Sequence, residues 1–146
     1  MPAQNRTDPY KNFNFRVEID GIAVAAFSEV SGLESETVVV EYRTGDSSVT
    51  RKLPGVTKYP NLVLKRGLTL DLALWKWRKT VVDGRTERRN GSIILRDDAG
   101  KDMVRFNFFE GWPCKWEGPA FNAKGSEVAI ETLEIAHEGL EIDGGR

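Results

Sequence analysis

Residues 13–20, FNFRVEID, alternate without a break. Phe13, Phe15, Val17 and Ile19 fall on one side, and Asn14, Arg16, Glu18 and Asp20 on the other. A half-buried strand separates two sets in this way, because its successive side chains point to opposite faces. The same period returns along most of the chain. Gly21 reads as a tight turn, after which IAVAAFSEVSGL continues as a second extended segment to Gly32. ETVVVEYRTG reads as a third strand, with Val38, Val40 and Tyr42 on one face; Val39 is the odd apolar residue on the face of Glu41 and Arg43. NLVLKRGLTL resumes the alternation through Leu62 and Leu64. GSIILRDDAGKDMVRFNFFEGW reads as a hairpin, Ser92 to Arg96 and Met103 to Trp112, that turns within DDAGKD. Pro113 and Pro119 then make PCKWEGPAF irregular or an edge. SEVAIETLEIAHEGLEI reads as a long last strand. Its apolar phase slips by one residue between Val128/Ile130 and Leu133/Ile135, as at a β-bulge or in a strand buried differently along its length.

Two segments depart from this period. In DLALWKWRKTVVDG, Leu70, Leu74, Trp77 and Val81 share one helical face, which predicts a helix over about 70–82. Thr69 or Asp71 would cap its start, and Asp83-Gly84 would stop it. Within TGDSSVTRKLPGVTKYP, residues 45–60 carry neither period and read as a long arm between two strands. Loops longer than about 12–15 residues in compact domains are functional or disordered. The expected architecture is a single domain over residues 1–146, mainly β. It is an antiparallel barrel or sandwich with one flanking helix and a long extended arm.

A chain of 146 residues buries roughly two thirds of its unfolded surface, so a core can form without covalent staples. No run of apolar residues is long enough for a transmembrane helix, and MPAQNRTDPYKNFNF lacks the apolar centre of a secretory signal. The single cysteine, Cys114, allows no internal disulfide, and synthesis in a cytoplasm is expected. The net charge of −1 conceals blocks. Arg51, Lys52, Lys58, Lys65 and Arg66 face no acid within residues 51–66, whereas residues 117–146 carry seven acids against Lys124 and Arg146. Basic blocks bind nucleic acid or anionic lipid. With acidic blocks on the same chain and no nucleic-acid fold signature, packing between copies suits this pattern better.

Chemistry-bearing residues are sparse. His137, beside acids in an alternating strand, reads as a surface or interface residue. With Cys114 it would make a nucleophile–base pair, but Cys114 lies between Pro113 and Lys115 without an oxyanion motif. Asp97, Asp98 and Asp102 cluster as turn formers without the EF-hand spacing. No phosphate-binding loop or zinc ligand set is present, so no cofactor is expected. Trp75 and Trp77, two apart, cannot share a helix face, and Trp112 and Trp116 flank the Pro113 kink. They read as core or interface aromatics, with a monomeric carbohydrate-binding β-sandwich as the alternative.

The ordered set of segments resembles the tail-tube proteins of contractile phages and phage-derived injection systems. DPYKNFNFRVEIDG with FSEVSGLESET is similar to that family's opening strands, and LPGVTKYPNLVLKRGLT before LWKWRKTVVDG to its centre. RRNGSIILRDDAG and FNFFEGWPCKWEGPAFNAKGSEVAIETLEIAHEGLE are similar to its C-terminal half. The resemblance implies a non-enzymatic β-barrel that forms six-membered rings, stacked into a hollow tube inside a contractile sheath. Its lumen would pass DNA or protein cargo. Implied partners are further copies, the sheath protein, and baseplate or tube-initiator and terminator proteins, without membrane insertion by the monomer. Assembly in a bacterial cytoplasm into a phage tail or extracellular particle follows, and a baseplate-proximal initiator is the close variant. The type VI secretion tube protein is similar in fold. In this reading the arm reaches neighbouring copies through Val49, Leu53, Val56 and Tyr59, with Arg51, Lys52 and Lys58 meeting acids there. TVVVEY would turn one side to the barrel core and the other, with Val39, to a neighbour. Ser28, Ser31, Glu127 and Glu131 are the lumen-facing candidates.

Overall fold

The computed structural model describes residues 14–22, 27–46, 48–125 and 128–144. Phe13 and the lumen candidate Glu127 lie outside the described residues. The strand expected from FNFRVEID is β1 (Phe15–Ile19), which pairs antiparallel with β6 (Arg89–Arg96). β6 pairs with β7 (Asp102–Glu117), β7 with β8 (Ile130–Ala136), β8 with β5 (Leu62–Gly67), and β5 with the short β2 (Glu29–Ser31). All these pairings are antiparallel. Alternation buries Leu62, Leu64, Leu133 and Ile135 completely, beside Val17, Ile19, Ile93 and Phe108. Each such side chain stabilises the fold by about 1.5–3 kcal/mol. Because one apolar cluster draws on β1, β5, β6, β7 and β8, the sheet wraps around a single core. Its two end strands, β1 and β2, are not hydrogen-bonded to each other among the described residues.

The long last strand is realised as two pieces laid end to end. β8 and β9 (Gly139–Gly144) occupy the same edge of β7, Trp112 facing Ala136 and Phe109 facing Gly139. The apolar phase slip is not a bulge, because β8 keeps an unbroken register against β5 from Gly67–Ile130 to Leu62–Ile135. Glu131, only 4% exposed, occupies the buried phase with Leu133 and Ile135, and Ile130 lies on the other face. The expected irregularity at Pro113 is reduced to a register shift between Pro113 and Lys115, and β7 runs through it to Glu117. A proline at a bulge removes no ladder bond.

The helix α1 (Ala73–Val82) starts later than its periodicity suggests. Leu70 lies before it and is 99% exposed, so the buried face is Leu74 and Trp77 alone. The Asp71 carboxylate accepts the Ala73 N–H at 3.0 Å, and the Arg66 guanidinium donates to the Asp71 carbonyl at 3.1 Å. These two bonds fix residue 71 outside the helix. At the other end the Gly84 N–H reaches the Val81 carbonyl at 3.0 Å and the Arg85 N–H the Thr80 carbonyl at 2.8 Å, a Schellman stop.

A crossing of two chain segments depends on Gly32. Its φ is +93°, and a Cβ there would stand 2.1 Å from the Asn61 carbonyl oxygen. Gly32→Ala should therefore lower stability by about 1–3 kcal/mol, read as an earlier urea midpoint with an unchanged slope. A midpoint equal to the parent's would show that the crossing has slack.

Candidate assembly interface

The arm is not structureless. β3 (Glu36–Tyr42) and β4 (Arg51–Lys58) form a two-stranded antiparallel sheet of their own, apart from the barrel. Pro54 and Gly55 sit within β4, beside the register shift that opposes Thr37–Val39 to Pro54–Thr57. β4 has only β3 as a partner, so proline is tolerated as it is on an edge. Thr37 and Thr57 join hydroxyls at 2.9 Å across the ribbon.

The register sorts the side chains. Val40 opposes Leu53 and Tyr42 opposes Arg51 on one face, where Val38 also points by alternation. Val39 opposes Pro54 and Glu41 opposes Lys52 on the other. Every residue of both strands is exposed, Val40 at 47%, Leu53 at 48% and Val56 at 68%. The expectation that TVVVEY packs one side on the barrel core therefore fails within the single chain. An isolated ribbon of two strands is marginally stable in water and needs further apolar cover. Val49, in the connection between the strands, is also exposed. Among the described residues, Arg51, Lys52 and Lys58 have no acidic partner within 4.0 Å.

The arm's root is held firmly. The Tyr59 ring lies 5.7 Å from the His137 ring, and His137 Nε2 is 3.1 Å from the Pro60 carbonyl oxygen. Its Nδ1 is 2.9 Å from the Gly139 carbonyl oxygen. His137 is thus a buried clamp at the β8–β9 junction, correcting the surface reading of this residue. Beside it, the Asn61 amide donates to Glu134 at 3.0 Å and lies 3.5 Å from Cys114 Sγ. With both His137 nitrogens against carbonyl oxygens, Cys114 and His137 do not form a nucleophile–base couple. Burial first, and then the Glu134 carboxylate, push the Cys114 thiol above its ordinary value. The folded chain should accordingly react with a neutral disulfide reagent at pH 8 about tenfold more slowly than the unfolded chain. Equal rates would contradict this environment.

The lumen candidates separate. Ser28 and Ser31 are exposed at β2, the Ser28 hydroxyl donating to the Lys65 carbonyl at 3.1 Å. Glu131 is turned inward instead, and its carboxylate is bound by the Arg66 guanidinium and by Trp116 Nε1 at 3.1 Å. It therefore does not line a lumen. Arg66 is 1% exposed, 5.7 Å from the Phe27 ring, and Trp75 meets Trp116 edge-on at 4.9 Å. Trp77 is buried, with Nε1 donating to the Glu87 carbonyl at 2.8 Å. The tryptophans thus support the core or its rim, and the buried ion pair was marked in the sequence only by the phase slip in β8.

The family model described as T4-like virus tail tube protein gp19 matches residues 11–141. A chain from the sheath–tube complex of the PVC extracellular contractile injection system in its extended state is 23% identical. It superposes with a TM-score of 0.86, covering 93% of this chain and 92% of that one. A chain from the tube-terminating cap of the anti-feeding prophage is also 23% identical, with a TM-score of 0.87 and 99% and 97% coverage. Hcp1 from Flavobacterium johnsoniae is more distant, at 17% identity and a TM-score of 0.57 over 91% of this chain and 97% of that one. These structural likenesses establish the fold. No curated protein matches the chain significantly.

Proposed function

Because the chain belongs to the T4-like virus tail tube protein family, as a structural subunit of the inner tube of a contractile tail or injection system, we propose that six copies close into a ring and that rings stack into a hollow tube. The observation that carries this is the arm. A ribbon with Val38, Val40, Tyr42 and Leu53 on one exposed face gains its missing cover when another copy supplies it. A ring of identical subunits uses unlike surfaces that close by rotation, so an arm on each copy and a seat on the next suffice. Val49, Val56 and Val39 extend the contact, Arg51, Lys52 and Lys58 seek acids on the neighbour, and Tyr59 fixes the root. Ser28 and Ser31 are the remaining lumen candidates.

The partners are the sheath protein outside the tube, baseplate or initiator proteins at one end and a terminator at the other. Solved chains of this fold come from a sheath–tube complex, a baseplate and a terminating cap, which supports that set. The subunit carries cargo passively and performs no catalysis. It assembles in the bacterial cytoplasm into the particle.

Electron microscopy of the purified chain over a concentration series, alone and with sheathed particles from its source, tests the reading. Six-fold rings or hollow tubes, or this chain inside the particles, are expected. A monomer at all concentrations that is also absent from the particles would overturn it.

A further inference from the structure

Among the described residues, most of the exposed large apolar side chains gather at two places, Trp75, Val82 and Ile142 lying elsewhere. Seven belong to the arm, from Val38 to Val56. A second group, Leu68, Leu70, Leu72, Phe121 and Val128, lies on two loops at the far end of β5. These loops are joined where the Leu68 N–H meets the Ala129 carbonyl at 2.9 Å. β5 begins at Leu62, next to the arm's root, and ends at Gly67, just before Leu68. The two apolar places are therefore separated by the length of that strand, about 20 Å.

Beneath the loop that follows β7 runs a cleft of about 490 Å³. Pro119, Phe121, Val128 and Ile130 supply its apolar lining, with Lys65 and Glu117 among its charged residues. Lys65 is already paired with Glu29 at 3.3 Å. Glu117 has no basic partner within 4.0 Å among the described residues, so the cleft's unbalanced charge is negative. Phe121 is 85% exposed and Val128 73%, although both line a concave surface.

We propose that this cleft is the seat for the arm of a second copy, receiving the Val40–Leu53 face with Arg51, which shares that face, set against Glu117. The inference rests on the ring-and-tube reading and adds the place where the arm lands. Two features select a second copy as occupant. Arg51, without an acidic partner on the arm's apolar face, complements the cleft's unpaired acid, and the two apolar surfaces lie at opposite ends of β5. One contact between them leaves a free arm on one copy and a free cleft on the other. Such a heterologous contact repeats without limit or closes into a ring. Leu68 and Leu70 then extend the seat along the end of the barrel.

The test uses the full-length chain with the photo-crosslinker p-benzoyl-phenylalanine in place of Leu53. Isotopically light and heavy chains are mixed at increasing concentration, irradiated and digested, so that mixed-label peptides report contacts between copies. Position 53 should couple to residues 118–130 of the other copy. The yield should fall about tenfold or more, equivalent to at least ~1.4 kcal/mol, when the heavy chain carries Val128→Asp. Glu117→Arg should weaken the coupling as well, and Arg51→Glu on the crosslinker chain should restore it. Circular dichroism of each variant verifies folding, and Arg51, Glu117 and Val128 are all exposed. Coupling between copies at any other surface, the sheet face of a second arm included, would overturn the seat while leaving ring assembly standing. Absence of any coupling between copies at the highest concentration would overturn the seat, and the ring reading too if the unmodified chain were also missing from sheathed particles.

Discussion

The double variant Val40→Asp/Leu53→Asp should remain a folded monomer and lose assembly altogether. The two residues face each other across the ribbon, and in the single chain both are about half exposed. A carboxylate at either position stays in water before assembly, so the barrel's stability has little reason to change. The pair itself contributes about 0.2–1 kcal/mol to the ribbon. In an assembled contact the same two carboxylates would be moved from water into an apolar seat without partners, at several kcal/mol each. The unfolding midpoint of the variant should therefore lie close to the parent's, while rings and tubes disappear from micrographs. Tubes of ordinary length from this variant would remove the arm from the assembly contact.

Glu131→Ala should be the most damaging single substitution inside the barrel. It removes the nearer of two carboxylates from Arg66, whose side chain is 1% exposed on β5 and whose other acid, Asp71, stands 3.7 Å away, and also the acceptor from Trp116 Nε1. Removing one partner of a buried ion pair costs about 3–5 kcal/mol when the remaining charge is left alone, and the Asp71 carboxylate beside Arg66 offsets part of that here. The pair as a whole is a different matter. Arg66→Met/Glu131→Leu should recover most of the loss, since replacing both charges by apolar groups of similar size is often neutral or favourable. Urea unfolding followed by tryptophan fluorescence separates the cases, Trp116 and Trp75 lying beside the pair. A single variant as stable as the parent would show that water reaches Arg66.

The barrel was legible in the sequence where one face of a strand had to be apolar. β1, β5 and the β6–β7 hairpin satisfy that condition, and Leu74 with Trp77 satisfies its helical counterpart. β4 was illegible for the complementary reason. Its strand geometry comes from pairing with β3, and with both faces exposed no alternation is imposed on its residues. Pro54 and Gly55, read as turn formers, are accommodated beside a register shift on an edge. The valines of β3 suggested a share of the barrel core, since composition does not distinguish a residue buried by its own chain from one awaiting another copy. Glu131 misled in the opposite direction. An acid in an alternating strand is ordinarily on the wet side, and here Arg66, directly opposite on β5, draws it in.

The long strand β7 is flanked along a single edge by β8 and β9 in succession. Antiparallel ladder bonds stand perpendicular to their strands. A force directed along β7 is thus shared among the bonds of that whole edge at once, in shear, whereas a force applied across it would open them one after another from an end. The subunit's resistance to mechanical load therefore depends on direction, and its stiff axis is that of β7.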